Sequence, residues 1–201
     1  FRSIKIVDGD RVFFGHNHGG VNGKHPVVLE KEDIAYLNDV DLVISSKGSK
    51  MKPEEFQKLY DAGIPIAYDF SNNSPQENIE KITPLCKFAF LSAGSMEDGE
   101  TESLMKERHR MGAQYVLASR GEKPAVLYDG DKFYYQPSMP VRVVDTLGAG
   151  DSFFTAFLIA FLYRFPDGEK IEQEGLQDCM RQGAVFVARN CTIYGAAGDG
   201  I

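Results

Sequence analysis

Four short runs decide the fold: DLVIS (41–45), IPIAYDF (64–70), KFAFLS (87–92) and QYVLAS (114–119). Each is apolar and as long as a typical strand. The intervals between them carry helical patterns at 53–62, which opens with a proline in its first turn, at 76–81 and at 98–111. Apolar strands alternating with helices mean βαβ units, a parallel sheet and right-handed crossovers. Toward the C-terminus the alternation breaks. Runs 125–128 and 132–136 flank Asp129-Gly130, a hairpin signal. A further strand at 141–144 leads into two long helices, 149–164 and 172–189. In the second, Leu176, Met180, Gly183 or Ala184, and Val187 fall on one face. Toward the N-terminus, FRSIKIV and RVFF flank Asp8-Gly9-Asp10 as a second hairpin. The segment HNHGGVNGK (16–24) reads as loop, and a helix is expected at 31–38. No repeat, low-complexity tract or linker interrupts what reads as one α/β domain.

Composition excludes several partners. The 201 residues are 43% apolar and 25% charged, ordinary for a globular protein. Twenty-two Lys+Arg against 29 Asp+Glu give 22 − 29 = −7, which argues against nucleic acid and anionic membranes. A small anion remains open, because a few backbone N–H groups can hold one. The three cysteines, Cys86, Cys179 and Cys191, cannot all pair and show neither CxxC nor zinc spacing. They read as reduced, buried thiols of a cytoplasmic protein. No apolar signal-peptide core follows Phe1. The most apolar run, 153–163, falls short of the roughly 20 residues of a membrane helix. Its Phe153, Phe154, Phe157 and Phe161 read as core packing. His16 and His18 alternate, but no third ligand is evident, so they read as polar loop and no metal ligand is assigned.

Open parallel sheets bind ligands outside the carboxyl ends of their strands. The residues to watch are therefore Ser45-Ser46-Lys47, Asp69-Phe70-Ser71-Asn72, Ser92 onward, Ser119-Arg120-Gly121 and Asp145 onward. The last begins DTLGAGDSF (145–153), between a strand and a helix. Gly148 and Gly150 let the chain turn sharply and approach a ligand. The N–H groups of Gly148 to Asp151 lie at a helix start, with no intrahelical acceptor and a favourable dipole. This suits a phosphate. A carboxylate at Asp151 would repel that phosphate unless it has a task, and general-base removal of a hydroxyl proton is one. The combination fits phosphoryl transfer from a nucleotide to an alcohol. Taken singly, each residue has a plainer reading. Gly-Ala-Gly-Asp is a helix start, Glu97 a first-turn acid, Asp69 a strand-end turn former and Arg120 a solvated loop residue.

DTLGAGDSF resembles the C-terminal signature of the ribokinase-like (PfkB) carbohydrate kinases. The resemblance runs over 4–197. DRVF (10–13), YDFSN (68–72), FAFLSA (88–93) with Glu97, and Tyr-Gly-Ala (194–196) bring it closest to the fructosamine and fructoselysine 6-kinase branch. It implies a three-layer α/β fold with a mostly parallel sheet and a small β lid hairpin. It also implies ATP with Mg2+, and a sugar or sugar-amine acceptor. Carried across, Asp151 is the catalytic base, and Gly148, Ala149 and Gly150 are the anion hole. Asp145 and Thr146 shape the loop entry near the nucleotide phosphates. Ser119, Arg120 and Gly121 stand where the family has Thr-x-Gly along the nucleotide, with Arg120 in reach of a phosphate. Glu97 matches the Glu of the family's Asn-x-x-Glu motif for Mg2+ and water, with Gly94 in place of the Asn. Asp69 and Ser71 match an Asp-x-Asn motif near the phosphates, Ser replacing Asn as in the fructosamine branch.

The family's first strand with its sugar-gripping Asp, its lid strand and its Gly-Gly-Asn segment have no counterpart here. The expected organisation is a partial lid at 1–20 and a kinase core at 21–201, the C-terminal part of such a domain. The alternatives are a nucleoside or vitamin kinase of the same superfamily, or a truncated nucleotide-binding fragment without activity. A homodimer through the lid is a further expectation.

Overall fold

The computed structural model describes residues 2–7, 10–16, 20–166 and 171–196. Strands β1 (Arg2–Val7) and β2 (Asp10–His16) pair antiparallel as a separate two-stranded sheet. The Asp8-Gly9 turn between them, and His18, lie outside the described residues. Helices α1 (Gly20–Lys24) and α2 (Lys31–Leu37) follow. Then comes the alternation: β3 (Val43–Ser46), α3 (Pro53–Asp61), β4 (Ile66–Ser71), α4 (Gln76–Ile82), β5 (Phe88–Ser92), α5 (Asp98–Arg110) and β6 (Tyr115–Ser119). Strands β7 (Ala125–Tyr128) and β8 (Phe133–Gln136) form the second hairpin, and α6 (Ala149–Arg164) and α7 (Gln173–Asn190) complete the chain. The main sheet has the order β3-β4-β5-β6-β7-β8. It is parallel through β6 and antiparallel beyond, as βαβ units followed by a hairpin require.

The two-residue period of a strand splits its side chains between two cores. Ile66, Tyr68, Phe70, Ala89, Leu91, Val116 and Ala118 pack on one face, with Phe56 and Leu59 of α3, Ile82 of α4 and Met105 of α5. Ala67, Phe88, Phe90 and Leu117 pack on the other, with the phenylalanines of α6 and with Leu176, Met180 and Ala184 of α7. By the same alternation, Asp69 and Ser119 project to the α6 side. The apolar stripe of α7 meets α6 closely. A Cβ on Gly183 would lie 2.9 Å from the Phe153 ring and 3.0 Å from the Phe153 carbonyl oxygen.

Two expectations are corrected. The valine-rich stretch 141–144 forms no strand. Val144 and Asp145 both donate to a single carbonyl, that of Cys191, at 2.8 and 3.2 Å. Branched residues favour a strand only where a neighbouring edge accepts the ladder, and a single carbonyl does not supply one. The segment 16–24 is not all loop, since Gly20–Lys24 closes one helical turn and His25 N–H reaches Val21 O at 2.8 Å.

Candidate active site

The loop 145–148 is built before anything can bind to it. Asp145 is buried, and its carboxylate accepts from the N–H of Leu147 and of Gly195, both at 2.9 Å. Buried Asn190, at the end of α7, donates to the Leu147 carbonyl at 3.4 Å. Gly148 takes φ 72° at the N-cap of α6, a left-handed conformation open to glycine. A Cβ there would stand 2.9 Å from the Ala196 Cβ, so the Tyr194-Gly195-Ala196 segment is the wall against which the loop is set. Asp145 thus holds the loop's shape, while Thr146 is exposed and its carbonyl takes the Ala149 N–H at 3.2 Å.

Helix α6 then starts without a side-chain cap. Ala149 N–H goes to Thr146 O, and Ser152 N–H to Gly148 O at 2.8 Å. The amides of Gly150 and Asp151 have no acceptor among the described residues. Stacking of Phe154 on Phe90, at 4.6 Å between ring centres and 10° between planes, fixes this first turn over β5. A Cβ on Gly150 would lie 3.7 Å from Phe90 and 3.9 Å from Ser119 Oγ, so the backbone passes directly over the end of β6. Asp151 itself is exposed at the helix start.

Facing it is the end of β4. The pairing with β5 shifts between Asp69 and Ser71, with Phe70 the extra residue, and Ser71 takes φ 53°. This irregularity folds Ser71 back onto Asp69. Its N–H donates to Oδ1 at 2.6 Å and its hydroxyl to Oδ2 at 3.1 Å. Burial pushes the Asp69 carboxyl above its ordinary value, against the pull of the Ser71 hydrogen bonds. The Asp151 charge raises it further and the Lys47 ammonium lowers it, so the three groups share one electrostatic neighbourhood. Ser46 pairs with Asp69 across the sheet, which sets Lys47 beside it, and Lys47 also donates to the Asn73 side chain.

Ser119, Arg120, Gly121, Ala149 and Gly150 line one cavity of about 180 Å³. Phe153, Ala184, Val187 and Pro137 give it apolar walls, and Lys123 and Gln136 also line it. Arg120 is not a solvated loop residue. Its side chain is 2% exposed, and it donates to Asp98 at 2.5 Å and to the Met96 carbonyl at 3.3 Å. Glu97 begins α5 outside that cavity, its side chain 81% exposed, with Lys123 3.4 Å away. Sequence reasoning did not single out Lys123, Asp98 or Gln136; a lysine four residues beyond Ser119 was the one available hint. Among the described residues no three His, Cys, Asp or Glu gather to hold a metal. No described helix is long and apolar enough to cross a membrane.

Comparison with known proteins agrees with this arrangement. The family model for the pfkB family carbohydrate kinases matches residues 30–199. Fructosamine kinase FrlD of Bacillus subtilis (strain 168) is 32% identical over 192 residues, covering 96% of this chain and 64% of the relative. Fructoselysine 6-kinase of Escherichia coli (strain K12) is 34% identical, covering 96% of this chain and 69% of the relative. The chain therefore spans about two thirds of the length of these relatives. In fold it is similar to Arabidopsis thaliana ribokinase, solved with ribose and ATP. The TM-score is 0.72 at 20% identity, over 96% of this chain and 63% of that one. Giardia lamblia ribokinase gives 0.74 at 14% identity, over 98% and 66%. With the family model covering most of its length and the loop, helix start and sheet in their expected order, this chain belongs to the pfkB family of carbohydrate kinases.

Proposed function

We propose that the protein transfers the terminal phosphoryl group of ATP to a hydroxyl of a sugar amine of the fructosamine or fructoselysine type. The observation that carries this reading is the start of α6. The open amides of Gly150 and Asp151 and the Asp151 carboxylate share one helical turn, whose Ala149 and Gly150 line the cavity beside Ser119 and Gly121. In the reaction, Asp151 accepts the hydroxyl proton as the oxygen bonds to phosphorus. The bond from phosphorus to the β–γ bridging oxygen breaks, and ADP leaves. The charge gathered on the transferred group meets the loop of Gly148, Ala149 and Gly150, where the amides of Gly150 and Asp151 are open while that of Ala149 is held by Thr146, and the positive end of the helix. Ser119 and Gly121 border the nucleotide, and Asp145 and Thr146 keep the loop entry in shape.

Magnesium commonly binds through one or two carboxylates, nucleotide phosphates and water, without a protein cage. Asp69, oriented by Ser71, and the exposed Glu97 are the carboxylates this site offers it. When bound, the ion neutralises phosphate charge. The names of the relatives support the sugar-amine acceptor. The three free, buried cysteines support a cytoplasmic setting. The β1–β2 sheet supports a division into a lid (1–20) and a core (21–201), and pairing of two copies through that lid, which light scattering would test. The function is tested by following ATP consumption by the intact gene product with fructoselysine, fructose and ribose. Turnover should be fastest with fructoselysine; no turnover of any hydroxylated acceptor overturns the reading.

A further inference from the structure

Two cations sit where a helix dipole disfavours them. Positive charge is stabilised at helix C-termini and opposed at N-termini, yet Arg120 and Lys123 both close over the start of α5. Arg120 reaches the Met96 carbonyl at 3.3 Å and Asp98 at 2.5 Å. Lys123 reaches the same carbonyl at 3.1 Å and Glu97 at 3.4 Å. The two are held differently. Arg120 is buried and fixed, and its Nε is enclosed without a hydrogen-bond partner among the described residues, a state that asks for a reason. Lys123 is 40% exposed and Glu97 81%, so their long ion pair is weak and easily exchanged.

Both cations line the 180 Å³ cavity, as do Ala149 and Gly150. Phe153, Ala184, Val187 and Pro137 offer apolar surface for a flat ring, and the same lining includes Lys123 and the start of α6. That is the chemistry of a nucleoside phosphate. We propose that Lys123 is a phosphate-binding residue that exchanges Glu97 for a nucleotide phosphate when the nucleotide enters, while Arg120 stays in place and anchors the 96–98 turn. The exchange does two things at once. It neutralises phosphate charge, and it releases the Glu97 carboxylate from its cation, so that Glu97 becomes available only after the nucleotide has arrived. This inference rests on the kinase reading above.

The test is nucleotide binding by calorimetry with magnesium chelated, using ADP and adenosine, on the intact protein and its variants. A charge-assisted hydrogen bond to phosphate predicts that Lys123→Met weakens ADP about tenfold or more and leaves adenosine unchanged. Lys123→Arg should retain most of the ADP affinity. Glu97→Gln frees the lysine in advance, so it should tighten ADP by about two- to fivefold, the scale of an exposed pair. The same substitution in the Lys123→Met background should add nothing. Equal weakening of ADP and adenosine by Lys123→Met, or no weakening, overturns phosphate binding. A Glu97→Gln gain that survives without Lys123 overturns the exchange. Failure of the unaltered protein to bind either ligand removes the kinase reading itself, and this inference with it.

Discussion

Helices α5 and α6 both start at the carboxyl end of the same sheet, and their starts are treated in opposite ways. The α5 start is filled from within the chain. Glu97 N–H is taken by Glu100 at 3.1 Å, Asp98 and Glu100 add first-turn acid, and two cations cover the result. The α6 start has a left-handed glycine, no side-chain cap and one acid, Asp151. Capping with the protein's own groups removes an anion site, and leaving the amides open keeps one. The difference separates a helix end that holds structure from one kept for a ligand.

Substitutions can break this contrast. Asp151→Asn should cut turnover by about 10²- to 10⁴-fold, the range of a general base, while nucleotide affinity stays nearly unchanged. Steady-state kinetics beside calorimetry would check it, and an unaltered rate would reduce the α6 start to an ordinary helix end. Gly148→Ala comes next. It combines a left-handed backbone, disfavoured by about 1–2 kcal/mol, with a Cβ only 2.9 Å from that of Ala196. Denaturant unfolding should show at least that loss, together with weaker nucleotide binding as the loop is displaced.

Asp98→Ala probes the other helix. It leaves the Arg120 guanidinium, 2% exposed, without its carboxylate, and stability should fall by about 1–3 kcal/mol. No change in the unfolding midpoint would mean that the 96–98 turn does not depend on Arg120.

The smallest effect concerns pH. The folded-state pKa of Asp69 is raised, burial being the largest cause. A raised carboxyl contributes stability that is full below its unfolded value and lost as pH climbs through the folded one. At neutral pH the charged Asp69 therefore weakens the ligand-free fold. Asp69→Asn should raise the melting temperature slightly at neutral pH, with the gain vanishing in acid below the ordinary Asp range. A lower melting temperature at neutral pH would mean that the hydrogen bonds from Ser71 outweigh the burial penalty.

Much of this is legible in the amino-acid sequence, and the reason differs by element. Strands β4 to β6 are apolar runs buried on both faces, so composition alone marks them, and the edge strand β3 is marked by its own short apolar run. The bounds 125–128 and 149–164 match the strand and the helix found there, because Asp129-Gly130 and Gly148 punctuate the chain sharply. The stretch 141–144 misled because propensity says nothing of a partner edge. The burial of Arg120 was hidden because its carboxylate, Asp98, lies 22 positions away on another element. Lys123 carries only the hint of its place four residues beyond Ser119, since a lysine in a turn is by default a solvated one. The residues around Asp151 are legible because a helix start with glycines concentrates its chemistry in one short string, whereas the cavity as a whole is assembled from four separate segments.

Helix α7 and the residues 191–196 after it set the loop ahead of α6, Asn190 through the Leu147 carbonyl, Gly195 through the Asp145 carboxylate and Ala196 against Gly148. Its own seat is set elsewhere, where the rings of Phe165 and Phe153 fill the spaces left by Gly175 and Gly183. An 18-residue helix is about 27 Å long and stiff. It acts as a gauge rod. Side-chain bulk added at Gly175 would run into the Phe165 ring, so the setting of the glycine loop depends on packing at the other end of this helix.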